Sequence, residues 1–232
     1  MIDAVPTYLN VLFGLTAIVS VLWFYASTRS VTFLILIISW TILQALLSVS
    51  GVYEDTGAVP PRIMLFGGFP PLLTILVMFL TVKGRAFIDN INLKTLTYFH
   101  AIRIPVEIGL ALLFHQGLVS VYMTFEGTNF DMFSGLTAPL VAYVAYRSGT
   151  VNKKLLLGWN VVCLLLLLNV VITSVFAMPS PFQTISMDQP NIAIMYFPFS
   201  LLPTVIVPLV LFAHLVAFRQ LKNGEQEIVA AI

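Results

Sequence analysis

Charged residues are scarce in this chain, and their scarcity excludes an ordinary water-soluble protein. Lys, Arg, Asp and Glu make up 9% of the 232 residues, whereas hydrophobic residues make up 59%. A soluble domain is typically about one quarter charged. The composition therefore predicts a single helical bundle that lipid solvates over residues 1–222, with no separate soluble domain.

Other absences narrow the possible functions. The formal net charge is only +1, so no basic face is available for phosphates, which excludes nucleic acid as a partner. Cys163 is the only cysteine, so the chain forms no internal disulfide. No basic residue precedes Arg29, which favours a retained first span over a cleaved signal peptide. No HExxH motif is present, and no lysine lies in the last apolar segment to carry a retinal Schiff base.

The apolar segments predict an all-α membrane protein, a bundle of seven transmembrane helices. We place the spans at 7–27, 31–52, 63–83, 98–116, 132–147, 155–177 and 192–218, followed by a short tail at 223–232. Nine Lys and Arg residues fall in connections on one side of this bundle, and Arg62 alone falls on the other. The positive-inside rule therefore predicts that the N-terminus is outside and the C-terminus cytoplasmic, in a plasma or inner membrane.

The fourth span contains the charges that demand an explanation. Glu107 lies about 13 Å from the start of the span, near the middle of a hydrocarbon layer about 30 Å thick. His100, Arg103 and Glu107 follow one another by three and then four residues, so they share one helix face. The directions of spans six and seven bring Asn160 and His214 to a similar depth. These five residues form the predicted ligand-binding group.

Several functions are open for this group. Arg103 could anchor a ligand while Glu107 exchanges a proton, as in a transporter or a sensor. His100 and His214 could instead be the axial ligands of a haem, or Glu107 the acid or base of a membrane-embedded enzyme. The protein could also be an accessory subunit of a membrane complex. The structural alternative is that Arg103 and Glu107 simply neutralise each other.

A second polar group is predicted on the outer side. His115, Glu126 and Asp131 could together hold a divalent metal ion. The alternative is a solvated acidic loop in which Asp131 caps the fifth span, since Asp is a preferred residue at a helix N-cap.

Proline and glutamine mark three further positions. Pro70 and Pro71 predict a kink in the third span, and three prolines make the seventh span the least regular. Gln44 lies within the second span, where a lone amide more often forms an interhelical hydrogen bond than a binding group.

Overall fold

The computed structural model describes residues 5–147 and 151–230, with side chains described as far as residue 222. Within these ranges the regular structure is entirely helical. The α-helices are α1 (Thr7–Thr28), α2 (Val31–Val49), α3 (Phe69–Leu80), α4 (Val82–Asp89), α5 (Leu93–Phe99), α6 (Arg103–His115), α7 (Met132–Tyr146), α8 (Lys153–Ala177) and α9 (Val207–Ala230). Two π-helices, Ile63–Gly68 and Leu202–Ile206, lead into α3 and α9, and a 3₁₀ turn, His100–Ile102, joins α5 to α6.

Six helical segments are long and apolar enough to cross a membrane. They are Thr7–Thr28, Val31–Val49, Ile63–Leu80, Leu93–His115, Lys153–Ala177 and Leu202–Lys222. The prediction of an all-helical fold is confirmed for the described residues, and the six long apolar segments are compatible with the predicted membrane bundle. The remaining apolar helix, α7, has 15 residues. At about 1.5 Å per residue it is shorter than the hydrocarbon layer that it was predicted to cross.

Three predicted boundaries differ from the structure. The helix predicted from residue 98 begins at Leu93, where the Asn92 side chain accepts a hydrogen bond from the Thr95 N–H and so caps the helix. The last span was predicted from residue 192 but begins at Leu202. Most of the predicted tail is also helical, because α9 continues to Ala230.

The charged helix occupies the centre of the bundle. Two thirds of an 18-residue stretch within each of Leu93–His115 and Leu202–Lys222 is buried inside the bundle, compared with 11% of Ile63–Leu80, the segment that contains α3. Helix α1 packs along both α5 and α6 through one stripe of buried residues: Leu9, Phe13, Ala17, Ser20 and Phe24. Their spacing of three or four residues places them on a single helix face. The apolar helices thereby shield the charges of α6 from lipid.

Gln44 supplies a hydrogen bond that is missing at the two prolines near the start of α3. Pro70 has no N–H to donate to the Phe66 carbonyl four residues earlier, and the side chain of Gln44 donates to that carbonyl instead, at 3.1 Å. The Tyr53 hydroxyl donates to the amide oxygen of Gln44, which fixes the orientation of the amide. Burial raises the pKa of Tyr53 to about 12, so this hydroxyl remains a neutral donor. The prediction that Gln44 forms an interhelical bond is confirmed.

Helix α2 compensates for a proline in α9 in the same way. Pro208 cannot donate to the Thr204 carbonyl four residues earlier. The indole N–H of Trp40 donates to this carbonyl at 2.9 Å. Trp40 and Gln44 are one turn apart on α2, so one helix face supplies donors to both proline-containing segments.

Candidate functional site

Arg103 is the centre of a buried hydrogen-bond network. Its side chain is 3% exposed. It donates to the Asp131 carboxylate at 2.8 Å, to the Nε2 atom of His214 at 2.8 Å, and to the Cys163 carbonyl at 3.3 Å. The guanidinium therefore joins α6 to α8, α9 and the start of α7.

The contact with Arg103 defines the protonation state of His214. A guanidinium only donates, so the Nε2 atom of His214 must accept and carries no proton. The proton of the neutral ring is then on Nδ1, which donates to the side-chain oxygen of Asn160 at 2.8 Å. The amide nitrogen of Asn160 in turn donates to the Leu156 carbonyl at 2.8 Å. The network thus holds His214 neutral and in one tautomer.

His100 packs face to face on His214. Their ring centroids are 4.2 Å apart with 31° between the planes, and the ring of Trp159 makes an edge-type contact with His100, with centroids 5.2 Å apart. Both nitrogens of His214 are already hydrogen-bonded, so neither can bind iron, and the stacked rings leave no gap for a porphyrin. The two histidines therefore do not fit the predicted haem site.

Glu107 is held by Asn129 rather than by Arg103. The amide nitrogen of Asn129 lies 2.8 Å from each carboxylate oxygen of Glu107 and 2.9 Å from the Met123 carbonyl. The amide oxygen of Asn129 accepts from the Asp131 N–H at 2.9 Å. The alternative of an Arg103–Glu107 pair is therefore not the arrangement found, because the carboxylate that pairs with Arg103 belongs to Asp131.

The connection before α7 reaches the site because it folds into the bundle. Asn129 and Asp131 are at most 5% exposed. Helix α7 approaches α6 closely at Gly135, where an added Cβ would lie 2.9 Å from the Cγ1 atom of Ile104. Asp131 lies at the N-cap position of α7, as predicted, but its side chain accepts from Arg103 and from the Ser134 hydroxyl and caps no backbone N–H.

The structure does not bring the predicted metal ligands together. His115 and Glu126 lie 3.2 Å apart at the exposed end of α6. Asp131, the third predicted ligand, is buried against Arg103. Across residues 5–147 and 151–222, no three His, Cys, Asp or Glu side chains converge in a way that could hold a metal ion.

A cavity of about 400 Å³ lies beside this network and is lined by residues of α3, α6, α8 and α9. Its walls are mainly aliphatic, with residues such as Leu65, Leu167 and Val171. Glu107 and Asp131 are the two acidic residues of its lining, and we call this part of the cavity the acidic wall. Of the five predicted ligand-binding residues, only Glu107 lines this cavity. Arg103 instead binds Asp131, and it is joined in turn to His214 and, through His214, to Asn160.

Five long apolar segments surround the sixth, the buried charged segment Leu93–His115, and this arrangement is compatible with a polytopic helical membrane bundle. Residues 60–222 match the family model of a domain of unknown function, DUF8737, and the chain belongs to this family. The matched region includes Arg103, Glu107, Asp131 and His214. No curated protein and no solved structure matches the chain.

Proposed function

We propose that this protein is transporter-like or sensor-like, and that its cavity binds a small ligand or a proton at Glu107 and Asp131. One observation carries the proposal: two carboxyl groups line an apolar cavity of about 400 Å³ inside a membrane protein. Ionisable residues within a membrane are costly and usually functional. Cavities of roughly 300–1,000 Å³ are also of the size that holds small ligands.

The charges around the cavity favour a bound proton or cation. The guanidinium of Arg103 pairs with Asp131 and not with Glu107, and His214 is neutral in this hydrogen-bond arrangement, so neither group supplies a counter-ion to Glu107. A second buried carboxylate would therefore lack a counter-ion, which costs several kcal/mol. A proton on Glu107, or a cation beside it, removes this cost.

The first test is an infrared measurement of the ligand-free protein. We expect a carbonyl band from a protonated carboxyl group that shifts in D₂O and disappears in the Glu107→Gln variant. Glu126→Gln is the matched control, because Glu126 is 41% exposed and outside the cavity, and it should retain the band. A band that persists in Glu107→Gln would contradict the assignment of the proton to Glu107.

The topology belongs to the same proposal. We propose seven membrane crossings with the N-terminus outside, in a plasma or inner membrane, supported by the nine-to-one division of basic residues. Helix α7 is short for a span, but Asn129 and Asp131, which precede it, are buried in the bundle, and this supports a crossing that extends beyond the helix. Irregular backbone is tolerated at membrane depth where protein surrounds it.

Cysteine labelling of intact cells tests this orientation. In a Cys163→Ala background, Met187→Cys should react with a membrane-impermeant maleimide, whereas Lys83→Cys should react only after the cells are lysed. Both positions are exposed, so burial does not decide the result. Labelling of Lys83→Cys but not Met187→Cys in intact cells would reverse the proposed orientation.

A further inference from the structure

We infer that the cavity takes a lipophilic organic monocation, an amine whose ammonium group pairs with Glu107 and whose hydrocarbon part lies along the aliphatic walls. This inference rests on the proposed function and names the class of ligand. It follows from the charge, the shape and the accessibility of the cavity.

The ionisable residues around the cavity favour a positively charged ligand. In the described part of the chain, no Lys, Arg or His lines the cavity, and its ionisable groups are the carboxyls of Glu107 and Asp131. The Arg103 guanidinium is already engaged by Asp131, His214 and the Cys163 carbonyl. An anion would meet two carboxyl groups without a free cation, whereas an ammonium group would supply the counter-ion that Glu107 lacks.

The distribution of polar groups selects an amphipathic ligand. Glu107 and Asp131 are neighbours, linked through Asn129, so the acidic wall occupies one part of the cavity. The other walls are formed almost entirely by apolar side chains, for example Leu110, Met123 and Val170. A hydrocarbon chain that leaves water for these walls gains from apolar burial, and one that leaves lipid keeps an apolar environment, while a fully polar cation would leave the walls unmatched.

The cavity is also accessible from the apolar surface of the bundle. Leu65, Phe69 and Leu72 line it from the α3 side, and these side chains are 41%, 58% and 47% exposed. Only 11% of the segment that carries them is buried within the bundle. In a membrane this surface faces lipid, where a lipophilic amine accumulates, so the ligand can reach Glu107 laterally.

Three ligands of one chain length test the inference. We would measure binding of radiolabelled n-octylammonium, n-octanol and n-octanoate to the full-length protein in nanodiscs, with empty nanodiscs subtracted. We expect saturable binding of octylammonium, at least about tenfold tighter than octanol, and no saturable binding of octanoate. Glu107→Gln should remove the preference for octylammonium, and Glu126→Gln should retain it.

A second variant keeps the test decisive if Glu107→Gln does not fold. Val171 lines the cavity from α8, and Val171→Phe should fill part of it and weaken octylammonium binding without changing the charges.

Equal or tighter binding of octanol or octanoate would overturn the inferred cation but leave a small-ligand site. Absence of binding by all three would overturn the inference as well. If the infrared carboxyl band also failed to depend on Glu107, the proposed function would fall with it.

Discussion

Replacing Arg103 with leucine is expected to lower the free energy of unfolding by about 3–5 kcal/mol, the cost of removing one partner from a buried ion pair. The variant leaves the Asp131 carboxylate without its cation and the Nε2 atom of His214 without its donor. Reversible unfolding in bicelles with increasing denaturing detergent measures the loss. Arg103→Lys should be intermediate, because a single ammonium group cannot reproduce the planar fork of donors that reaches all three acceptors.

The double variant Arg103→Leu, Asp131→Leu separates the ion pair from simple packing. Replacing both charges with apolar side chains of similar size is often neutral or stabilising. The double variant should therefore recover most of the stability that the single variant loses. A double variant as unstable as Arg103→Leu would show that the pair is not the source of the loss.

The depth of the polar residues in the long helices could be predicted from the sequence. The number of residues from a span end gives the depth, and the alternating direction of successive spans aligns residues that are distant in the chain. This reasoning placed Arg103, Asn160 and His214 at one level, and the structure joins them by hydrogen bonds. It could not give the neighbour relations of the helices, and so it could not exclude the haem geometry.

Asn129 and Asp131 could not be found by the same reasoning. Both lie in a polar connection, and a polar connection between apolar spans is normally exposed to water. Here Asn129 and Asp131 are buried although Thr128 and Phe130 beside them are exposed, so this amide and this carboxylate become the partners of Glu107 and Arg103. The sequence contains one indication of this burial. The apolar segment after Asp131 is too short to cross a membrane, so the start of that segment is expected to lie below the membrane surface.

Proline explains the late start of the last helix. Residues 192–201 are apolar enough to count as membrane-spanning, but Pro198 and Pro203 interrupt the hydrogen bonds that a helix through them would need. The helix begins at Leu202, which places Pro203 in the first turn, where a missing N–H breaks no intrahelical bond. Hydropathy alone predicts how long this apolar segment is, but it does not predict where the segment becomes helical.

Replacing Gly67 with alanine is expected to destabilise the protein by about 1–3 kcal/mol, the usual cost of an extra methyl group in a well-packed contact. Gly67 is where the two π-helices cross, and a Cβ added there would lie 2.3 Å from the Cγ2 atom of Thr204. Thr204→Ser removes this methyl group but keeps the hydroxyl that donates to the Ser200 carbonyl. Combining it with Gly67→Ala should restore most of the lost stability in the same bicelle assay.

Gly68→Ala is the matched control for this crossing, because no heavy atom lies within 4 Å of a Cβ added there. It has the same chemical change one residue along the same π-helix, and the higher helix propensity of alanine favours it slightly. Equal losses for Gly67→Ala and Gly68→Ala would mean that the π-helix itself resists a side chain, and that the contact with Thr204 is not responsible. A loss confined to Gly67→Ala and relieved by Thr204→Ser would make this crossing the point that anchors α3, and with α3 one wall of the cavity beside Glu107.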